Sequence, residues 1–377
     1  MKIKLSSCFL DHSGYAQASR SLLLALTKAG VKITTFMLSY QAGMRDLGEA
    51  AKLALKLENK KLDYKIKLMM ITPDQAALQK EPNKYNICFM FWEVLGLDKR
   101  WVYSMNQLDE IWTPSQTFAD TFKHNGVYKP IKVVKCPIET TNKSDHKKTS
   151  IRVVNKDEDF EGFVFYSMFQ WTERKNPRAL VETYWKRFKG KKDVALMLKV
   201  YRANFSEYER QTIRNDINRW KQELSPRQKH YPRIFLVFGE LSSAEIMRFH
   251  STGDCFVSAH RGEGLGLPQM EAMSVGNPVI STNFGGVHEI LSNENSWLID
   301  YSLIPVFNMV HIPFYNGQQL WADANKEQLG NAMVEAYKDR ELTAKKGKKA
   351  KKFIKDNLSF EVIGKDISKK LEDIKCE

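Results

Sequence analysis

Apolar and polar positions in the first part of the chain follow two alternating patterns. Continuous apolar runs are typical of buried strands, and apolar residues at helical spacing are typical of amphipathic helices. The patterns predict strands at residues 1–10, 31–38, 85–94, 109–115 and 129–138, a loop at 11–19, and helices at 20–30 and 116–126. Strand alternating with helix predicts a parallel, doubly wound α/β sheet.

A polar stretch without periodicity, residues 139–162, interrupts the alternation and is interpreted as a linker with an edge element. The alternation then restarts and predicts a second α/β unit of similar size. Its strands are expected at residues 163–169, 194–201, 233–240, 255–260 and 278–282, and its helices at 177–188, 207–224, 243–253 and 268–276. Farther along, the lysine-rich run 345–355 is interpreted as a solvated helix face, and residues 359–374 as an amphipathic helix.

The composition is consistent with two domains. A chain of 377 residues, of which 43% are hydrophobic, is long enough to form two cores. We expect no membrane span and no signal peptide, because no apolar run approaches the roughly 20 residues that a span needs. The cysteines are scattered without a Cys-x-x-Cys pair, a pattern typical of reduced thiols in a cytoplasmic protein.

Positive charge is concentrated in the first part of the chain and in its tail, residues 341–377. Of the net charge of +14, residues 1–143 supply +8, with 21 Lys and Arg against 13 Asp and Glu. A basic half favours solubility, or an acidic partner such as a nucleic acid or an anionic membrane surface. We therefore expect a cytoplasmic protein, with peripheral binding at the inner membrane face as the alternative to a freely dissolved one.

The segment HRGEGLGLPQMEAMSVGNPVIST, residues 260–282, combines two acids with a run of glycines. Its loop follows a predicted strand at the carboxyl end, where parallel sheets bind ligands. Gly264 and Gly266 allow the backbone to approach a ligand, Pro268 suits the first helical position, and the free amides there favour a phosphate. Glu263 and Glu271 can then face one cleft and accept hydrogen bonds from sugar hydroxyls, such as a ribose diol.

Two other interpretations of this segment remain open on the residues alone. Glycine-rich loops between strand and helix are common, so Glu271 could be an ordinary solvated helix residue. The glycines also resemble the beginning of a dinucleotide-binding fingerprint, but the third glycine of that motif is missing, because Leu267 and Pro268 stand there.

The segment resembles the Glu-x7-Glu signature of the retaining glycosyltransferases of family 4, which have the GT-B fold. Further segments are similar to the same family in the same order: SGYAQASRSLLLAL, DEIWTPSQTFADTFKHNGV, MFQWTERKNPRALVETY, LSSAEIMRFHSTGDCFVSAH and LSFEVIGKDI. The resemblance implies two Rossmann-like domains that face a cleft. Residues 1–145 would form the acceptor-binding domain, 160–355 the nucleotide-sugar donor domain, and 356–377 a helix that crosses back to the first domain.

The resemblance also implies roles in the second domain. Glu263 would contact the donor sugar, and Glu271 would hold the nucleotide ribose. Lys175 and Arg174 would bind the diphosphate and stabilise the leaving group, whose charge grows in the transition state. The other donor-binding candidates are Gly239, Glu240 and Leu241 near the base, and Gly264, Leu265, Gly266 and Leu267 in the loop; Ser242 or Ser243 is expected to cap the following helix.

A nucleoside-diphosphate sugar is the expected co-substrate, and the resemblance implies that no metal or other cofactor is needed. Lysine and arginine take the place of a divalent cation in such enzymes. Asp157-x-Asp159 imitates the metal motif of the other glycosyltransferase fold, but it lies in the predicted linker. We therefore expect no metal site there.

The sequence departs from the family pattern at two places. An arginine that family members often carry within residues 166–170 is absent, which weakens a two-cation phosphate site. A first-domain histidine is also absent, and Trp92 and Glu93 stand in the comparable segment. With Gly14 and Tyr15 they are the acceptor-side candidates, although Glu93 could equally be a strand-end residue.

The resulting hypothesis is a retaining transferase that moves a hexose or pentose from a nucleoside-diphosphate sugar to a hydroxyl. The expected acceptor is a glycan or a lipid-linked saccharide, with the basic first domain near an anionic membrane. The alternatives are a DNA glycosyltransferase acting on a hydroxymethylated base and a non-catalytic protein that binds nucleotide sugars.

Overall fold

The computed structural model describes residues 1–38, 47–140, 160–225, 230–309 and 312–374. The strands are β1 (Lys2–Ser7), β2 (Lys32–Met37), β3 (Ile66–Met70), β4 (Tyr85–Phe89), β5 (Glu110–Thr113), β6 (Ile131–Val133), β7 (Phe163–Gln170), β8 (Val194–Tyr201), β9 (Arg233–Val237), β10 (Cys255–Ser258), β11 (Val279–Thr282), β12 (Ser296–Ile299), β13 (Tyr301–Pro305) and β14 (Leu320–Ala324). The helices are α1 (Gly14–Lys28), α2 (Glu49–Leu57), α3 (Pro73–Leu78), α4 (Lys99–Met105), α5 (Gln116–His124), α6 (Pro177–Arg187), α7 (Glu207–Leu224), α8 (Ser243–Thr252), α9 (Leu267–Ser274), α10 (Lys326–Lys338), α11 (Arg340–Asn357) and α12 (Phe360–Glu372).

Two six-stranded parallel sheets with flanking helices form the molecule. The first has the order β2-β1-β3-β4-β5-β6, and the second has the order β12-β11-β10-β7-β8-β9. Both strand orders reverse direction beside the first strand of the unit, as in doubly wound sheets. The predicted fold class, two α/β units with parallel sheets, is therefore confirmed.

Strand β3 lies in the centre of the first sheet but was not predicted. It pairs with β1 on one side and β4 on the other, and all five of its residues are buried. The strand includes Lys67, whose ammonium donates to Gln79 O at 2.5 Å and to Glu81 Oε1 at 3.0 Å. A charged residue buried by such local bonds interrupts the apolar run from which strands are recognised.

A β-hairpin, β13–β14, extends from the second domain towards the first. The pairing of β13 and β14 is antiparallel. At the beginning of β14, Leu320 forms a bridge with Leu95 of the first domain, in which each backbone N–H donates to the other carbonyl, at 2.8 and 2.9 Å. The hairpin therefore contacts the first domain and contributes to the interdomain surface.

The C-terminal helix α12 packs on α1 of the first domain. A side chain at Gly364 would place its Cβ 2.3 Å from the carbonyl oxygen of Ala25. Only glycine therefore allows the two helix backbones to approach so closely. No helix in the described ranges combines the length and the apolar character that crossing a bilayer requires.

Several element boundaries differ from the sequence prediction. Residues 11–19 were expected to be a loop, but α1 begins at Gly14, because the Ser13 side chain accepts from the N–H of Ala16 and caps the helix. The predicted strand 129–138 is reduced to β6, which pairs with β5 on one side. The central part of the predicted linker lies outside the described residues.

Candidate active site in the interdomain cleft

A cavity of about 370 Å³ lies between the domains, at the carboxyl ends of β4, β7, β8 and β10. This volume is typical of small-molecule sites. The predicted site residues that line it are Gly14, Tyr15, Glu93, Arg174, Lys175, Glu240, Leu241, Glu263, Gly264, Leu265, Leu267 and Glu271. The structure therefore brings together side chains from both domains.

Lys175 and Glu263 form an ion pair at the base of the cavity. Lys175 ends a short 3-10 turn after β7, and its ammonium donates to Glu263 Oε2. Burial opposes ionisation of the Glu263 carboxyl, but the charges of Lys175 and Arg174 outweigh it and lower the pKa to about 2. Burial also lowers the pKa of Lys175, and the charge of Glu263 opposes that shift. The carboxylate is therefore ionised at neutral pH.

Arg174 connects the same turn to two other segments. Its Nη1 donates to the carbonyl oxygen of Gly262 at 2.9 Å and lies 3.6 Å from Glu93 Oε1. Burial acts to lower the pKa of Arg174, but the charges of Glu93 and other acidic groups raise it above its usual value. Tyr315 donates to Glu93 Oε2 at 2.5 Å, so the acid is held from both sides.

Glu271 on α9 is also bonded to both domains. Gln17 of α1 donates its side-chain N–H to Glu271 Oε1, and His250 Nε2 lies 3.2 Å from Glu271 Oε2. Behind it, His250 Nδ1 lies 3.2 Å from the hydroxyl of Tyr166, which accepts from Asn277 Nδ2 at 2.8 Å. This chain of buried polar groups fixes the carboxylate while leaving it at the cavity wall.

Neither Gln17 nor His250 was predicted as a site residue. Gln17 is separated from Glu271 by 254 positions, and His250 by 21. Both stand in segments that resemble the family, but only the fold brings them together with Glu271.

The glycines of the loop have a structural reason that the sequence interpretation did not include. A Cβ at Gly264 would lie 2.9 Å from the carbonyl oxygen of Trp92, and one at Gly262 would lie 2.2 Å from that of Glu93. These glycines therefore allow the loop to pack against the first domain. Gly266, with φ of 78°, forms the turn before α9 and does not line the cavity. The helix begins at Leu267, so Pro268 occupies its second position, where a missing N–H is equally harmless.

The strand end at the other side of the cavity carries Glu240 and Leu241. Gly239 forms the turn before them with φ of 97°, where a side chain would be strained. Ser242 caps α8 in a capping box with Glu245, which confirms one of the two predicted caps. Glu240 Oε2 lies 3.7 Å from His12 Nε2 of the first domain.

Trp92 is placed in the core of the first domain. Only 1% of its surface is exposed, and its Nε1 donates to the carbonyl oxygen of Gly96 at 2.9 Å. Its ring packs against those of Trp101 and Tyr315. Among the acceptor-side candidates, the cavity is therefore lined by Gly14, Tyr15 and Glu93, and Trp92 supports them from behind.

The chain is similar to known proteins both in sequence and in fold. Residues 169–353 match the family model described as glycosyl transferases group 1. A segment of 75 residues, 20% of the chain, is 33% identical to a sulfoquinovosyl transferase of Arabidopsis thaliana. That segment spans only 14% of the length of this curated relative.

The fold is shared with solved structures over nearly the whole chain. The structure of HepE from Anabaena in complex with UDP and glucose is similar with a TM-score of 0.70 and 14% identity, covering 99% of this chain and 100% of that one. A sucrose-phosphate synthase of Thermosynechococcus elongatus gives 0.69 and 15%, covering 99% and 98%. The chain therefore has the two-domain GT-B fold, and the part of it that carries Arg174, Lys175, Glu263 and Glu271 matches the group 1 glycosyl transferase family.

Proposed function

We propose that the chain is a retaining glycosyltransferase of the family 4 type, which moves a sugar from a nucleoside-diphosphate sugar to a hydroxyl group. The observation that carries this proposal is the arrangement of Arg174, Lys175 and Glu263 in one cavity with Glu271. Two cations at a cavity that also holds two buried carboxylates suit a ligand with a diphosphate and several hydroxyls. The match to the group 1 glycosyl transferase family supports the same activity.

The proposed roles follow from the charges. Arg174 and Lys175 would bind the diphosphate and stabilise the negative charge that develops on the leaving group. Glu263, ionised because its pKa is about 2, would contact the donor sugar and stabilise the positive charge of an oxocarbenium-like transition state. Glu271 would accept hydrogen bonds from the ribose hydroxyls, in place of the N–H of Gln17 that it accepts here.

Retention would require the acceptor hydroxyl to attack the face of the sugar from which the diphosphate departs. The donor's own phosphate oxygen would then take the acceptor proton. In a retaining hydrolase two carboxylates flank the scissile bond. Here one of the two is assigned to the ribose instead, so Glu263 and Glu271 do not form such a pair. The fixed cations make a divalent metal unnecessary in this proposal.

For the acceptor, we propose a glycan or a lipid-linked saccharide. The first-domain side of the cavity offers the Tyr15 hydroxyl and the Glu93 carboxylate. A carboxylate at this place suits the hydroxyls of a sugar and repels the phosphates of a nucleic acid. Peripheral binding to an anionic membrane surface would bring the basic first domain close to a lipid-linked acceptor.

The experiment is a donor and acceptor screen with the full chain. UDP-sugars are the first donors to use, because the similar HepE structure contains UDP; donors with other bases complete the panel. Mass spectrometry should detect a hexose or pentose added to an oligosaccharide or lipid-linked acceptor, and NMR should show the donor's anomeric configuration in the product. If the protein binds a nucleotide sugar but transfers the sugar to no acceptor and releases no nucleoside diphosphate, it is a non-catalytic binding protein instead. A product with inverted configuration would contradict retention alone.

A further inference from the structure

Lys199 is a cleft residue for which the proposed roles leave no function. It lies on β8 beside Met168 of β7, two positions before the strand ends. Only 7% of its surface is exposed, and it lines the interdomain cavity. A buried ammonium is costly unless it is paired, so its presence here requires a reason.

No carboxylate within the described part of the chain forms an ion pair with Lys199, and no hydrogen-bond acceptor contacts its ammonium. Two aromatic rings hold it instead. The Nζ atom lies 4.8 Å from the ring centre of Tyr201 and 5.0 Å from that of Phe205. Aromatic faces attract a cation without neutralising its charge. The ammonium is therefore positioned by the rings while its hydrogen-bond donors stay available.

The charge balance of the cavity shows why such a cation matters. Arg174 is paired with Glu93, and Lys175 with Glu263. Both residues to which the family resemblance gives the diphosphate are thus already paired with carboxylates. An incoming diphosphate brings additional negative charge, which these two paired cations would compensate poorly.

We propose that Lys199 binds a phosphate group of the nucleoside diphosphate in the cleft, an assignment that rests on the glycosyltransferase function proposed above. Lysine suits this position because its ammonium acts as a compact point charge with three donors. The charged groups that face it are Glu240, which follows β9, and His12, which follows β1. Neither is bonded to the ammonium, so a phosphate oxygen would be its first hydrogen-bond acceptor.

The test compares Lys199→Met with Lys199→Arg in calorimetric titrations of the full chain. The probes are UDP, uridine and inorganic pyrophosphate, the last because it does not depend on the base. Lys199→Met should weaken the binding of pyrophosphate and UDP by about tenfold or more and leave any binding of uridine unchanged. Lys199→Arg, which keeps the charge, should restore most of the affinity. Lys192→Met removes an exposed lysine of the same domain and should change neither affinity.

Thermal unfolding separates this role from a structural one. Burial lowers the pKa of Lys199 to about 8, although the charge of Glu240 acts to raise it. The unfolded chain keeps the ordinary lysine pKa, so the buried charge destabilises the protein below pH 8, and this cost decreases as the pH rises above 8. Without ligand, Lys199→Met should therefore melt at the same or a higher temperature than the wild type at pH 7. A lower melting temperature together with lost binding would show that Lys199 holds the cleft together, and would overturn the proposal.

The outcomes also separate this proposal from the function on which it rests. Equal affinity of the wild type and Lys199→Met for UDP and for pyrophosphate would overturn the role of Lys199 and leave the transferase function intact. Failure of the wild type to bind pyrophosphate and every nucleoside diphosphate would overturn both. If Lys199→Met raised only the KM for the acceptor, the lysine would serve an anionic acceptor, and the assignment to the diphosphate would be wrong.

Discussion

Glu93 and Arg174 face each other across the cleft, with Glu93 Oε1 3.6 Å from Arg174 Nη1. Glu93 follows β4 of the first domain, and Arg174 lies in the turn after β7 of the second. Tyr315, between the strands of the hairpin, donates to the other oxygen of the same carboxylate. Glu93 thus joins three segments that are distant in sequence. It also forms an ion pair with the guanidinium group that we propose to bind the diphosphate.

Glu93→Gln should have opposite effects on the two substrates. Without the negative charge, Arg174 is more available to a phosphate, so the affinity for a nucleoside diphosphate should rise by about threefold to tenfold. Transfer to the acceptor should slow, because an amide is a weaker hydrogen-bond acceptor for a hydroxyl than a carboxylate. Calorimetry with UDP or the preferred diphosphate and steady-state kinetics with the acceptor measure the two effects.

Glu361→Gln is the matched control for this substitution. Glu361 lies on α12, and its exposed carboxylate forms a surface ion pair with Lys28 of α1. Glu361→Gln should change neither diphosphate affinity nor transfer. Weaker diphosphate binding in Glu93→Gln would show that the acid supports the phosphate site, in contradiction to the competition described here.

The parts of this site that the sequence predicted were those carried by local motifs. The loop with Glu263, the turn with Lys175 and the cap at Ser242 each stand in a short segment whose residues specify the local structure. The pairing of Glu93 with Arg174 could not be predicted, because it depends on how the domains face each other. Strand β3 was missed for a different reason. Lys67 interrupts its apolar run, and its bonds to Gln79 and Glu81, which the folded chain supplies, explain how the lysine is buried.

Glu263→Gln should lower turnover by about 10²–10³-fold with little change in donor affinity. The carboxylate's charge matters most when positive charge develops on the sugar in the transition state. Steady-state kinetics and calorimetry measure the two quantities separately. The exposed Glu294 provides a control, and Glu294→Gln should leave turnover unchanged. Turnover of Glu263→Gln within a few-fold of the wild type would remove Glu263 from the mechanism.

The lowered pKa of Glu263 also predicts the acid side of the pH profile. The folded-state pKa is about 2, below the ordinary value of 4.5. The stabilisation from this carboxylate is therefore complete above about pH 4.5 and is lost as the pH falls towards 2. Turnover measured between pH 5 and 8 should show no loss that titrates with Glu263. Kinetics of the wild type and Glu263→Gln over this range should give profiles of the same shape on the acid side.

Gly286→Ala should destabilise the protein and disturb the catalytic loop. The new Cβ would lie 2.0 Å from the carbonyl oxygen of Gly264, so the loop backbone next to Glu263 must move. We expect a loss of about 1–3 kcal/mol of unfolding free energy or more, with lower turnover. Gly317→Ala is the control, because an added Cβ there meets nothing within 4 Å. Denaturant unfolding and kinetics of both variants check the difference, and equal behaviour of the two would contradict the close packing of the loop.

Activity should survive treatment with excess EDTA. The proposed phosphate site uses lysine and arginine side chains, so we expect that no divalent cation is required to neutralise the leaving diphosphate. Asp157 and Asp159, the one pair that imitates a metal motif in the sequence, lie outside the described residues. Initial rates before and after removal of EDTA, with magnesium or manganese added back, measure the effect. Loss of activity in EDTA that either metal restores would make this aspartate pair a candidate ligand set.

The DNA alternative predicts a steep response of DNA binding to salt. If DNA were the substrate, the first half of the chain, with its net charge of +8, would bind duplex DNA with an affinity that falls steeply with salt. The slope of log affinity against log salt is about −0.9 for each phosphate neutralised. Contacts to only about 4–6 phosphates would therefore lower the affinity by roughly a hundredfold or more between about 50 and 200 mM salt.

We expect a saccharide acceptor instead, because the acceptor side of the cavity carries Glu93 and a duplex base could reach it only by flipping out of the helix. The enzyme is incubated with a mixed pool of nucleotide sugars and either hydroxymethylated DNA or lipid-linked saccharide in anionic vesicles. Digested nucleosides and extracted lipids are then weighed by mass spectrometry. The expected result is a sugar-sized mass gain on the saccharide alone, with binding to the vesicles that weakens as salt is added. A mass gain on the hydroxymethylated base would instead assign the acceptor as DNA. The proposed donor site would be unchanged in that case, and only the acceptor assignment would be wrong.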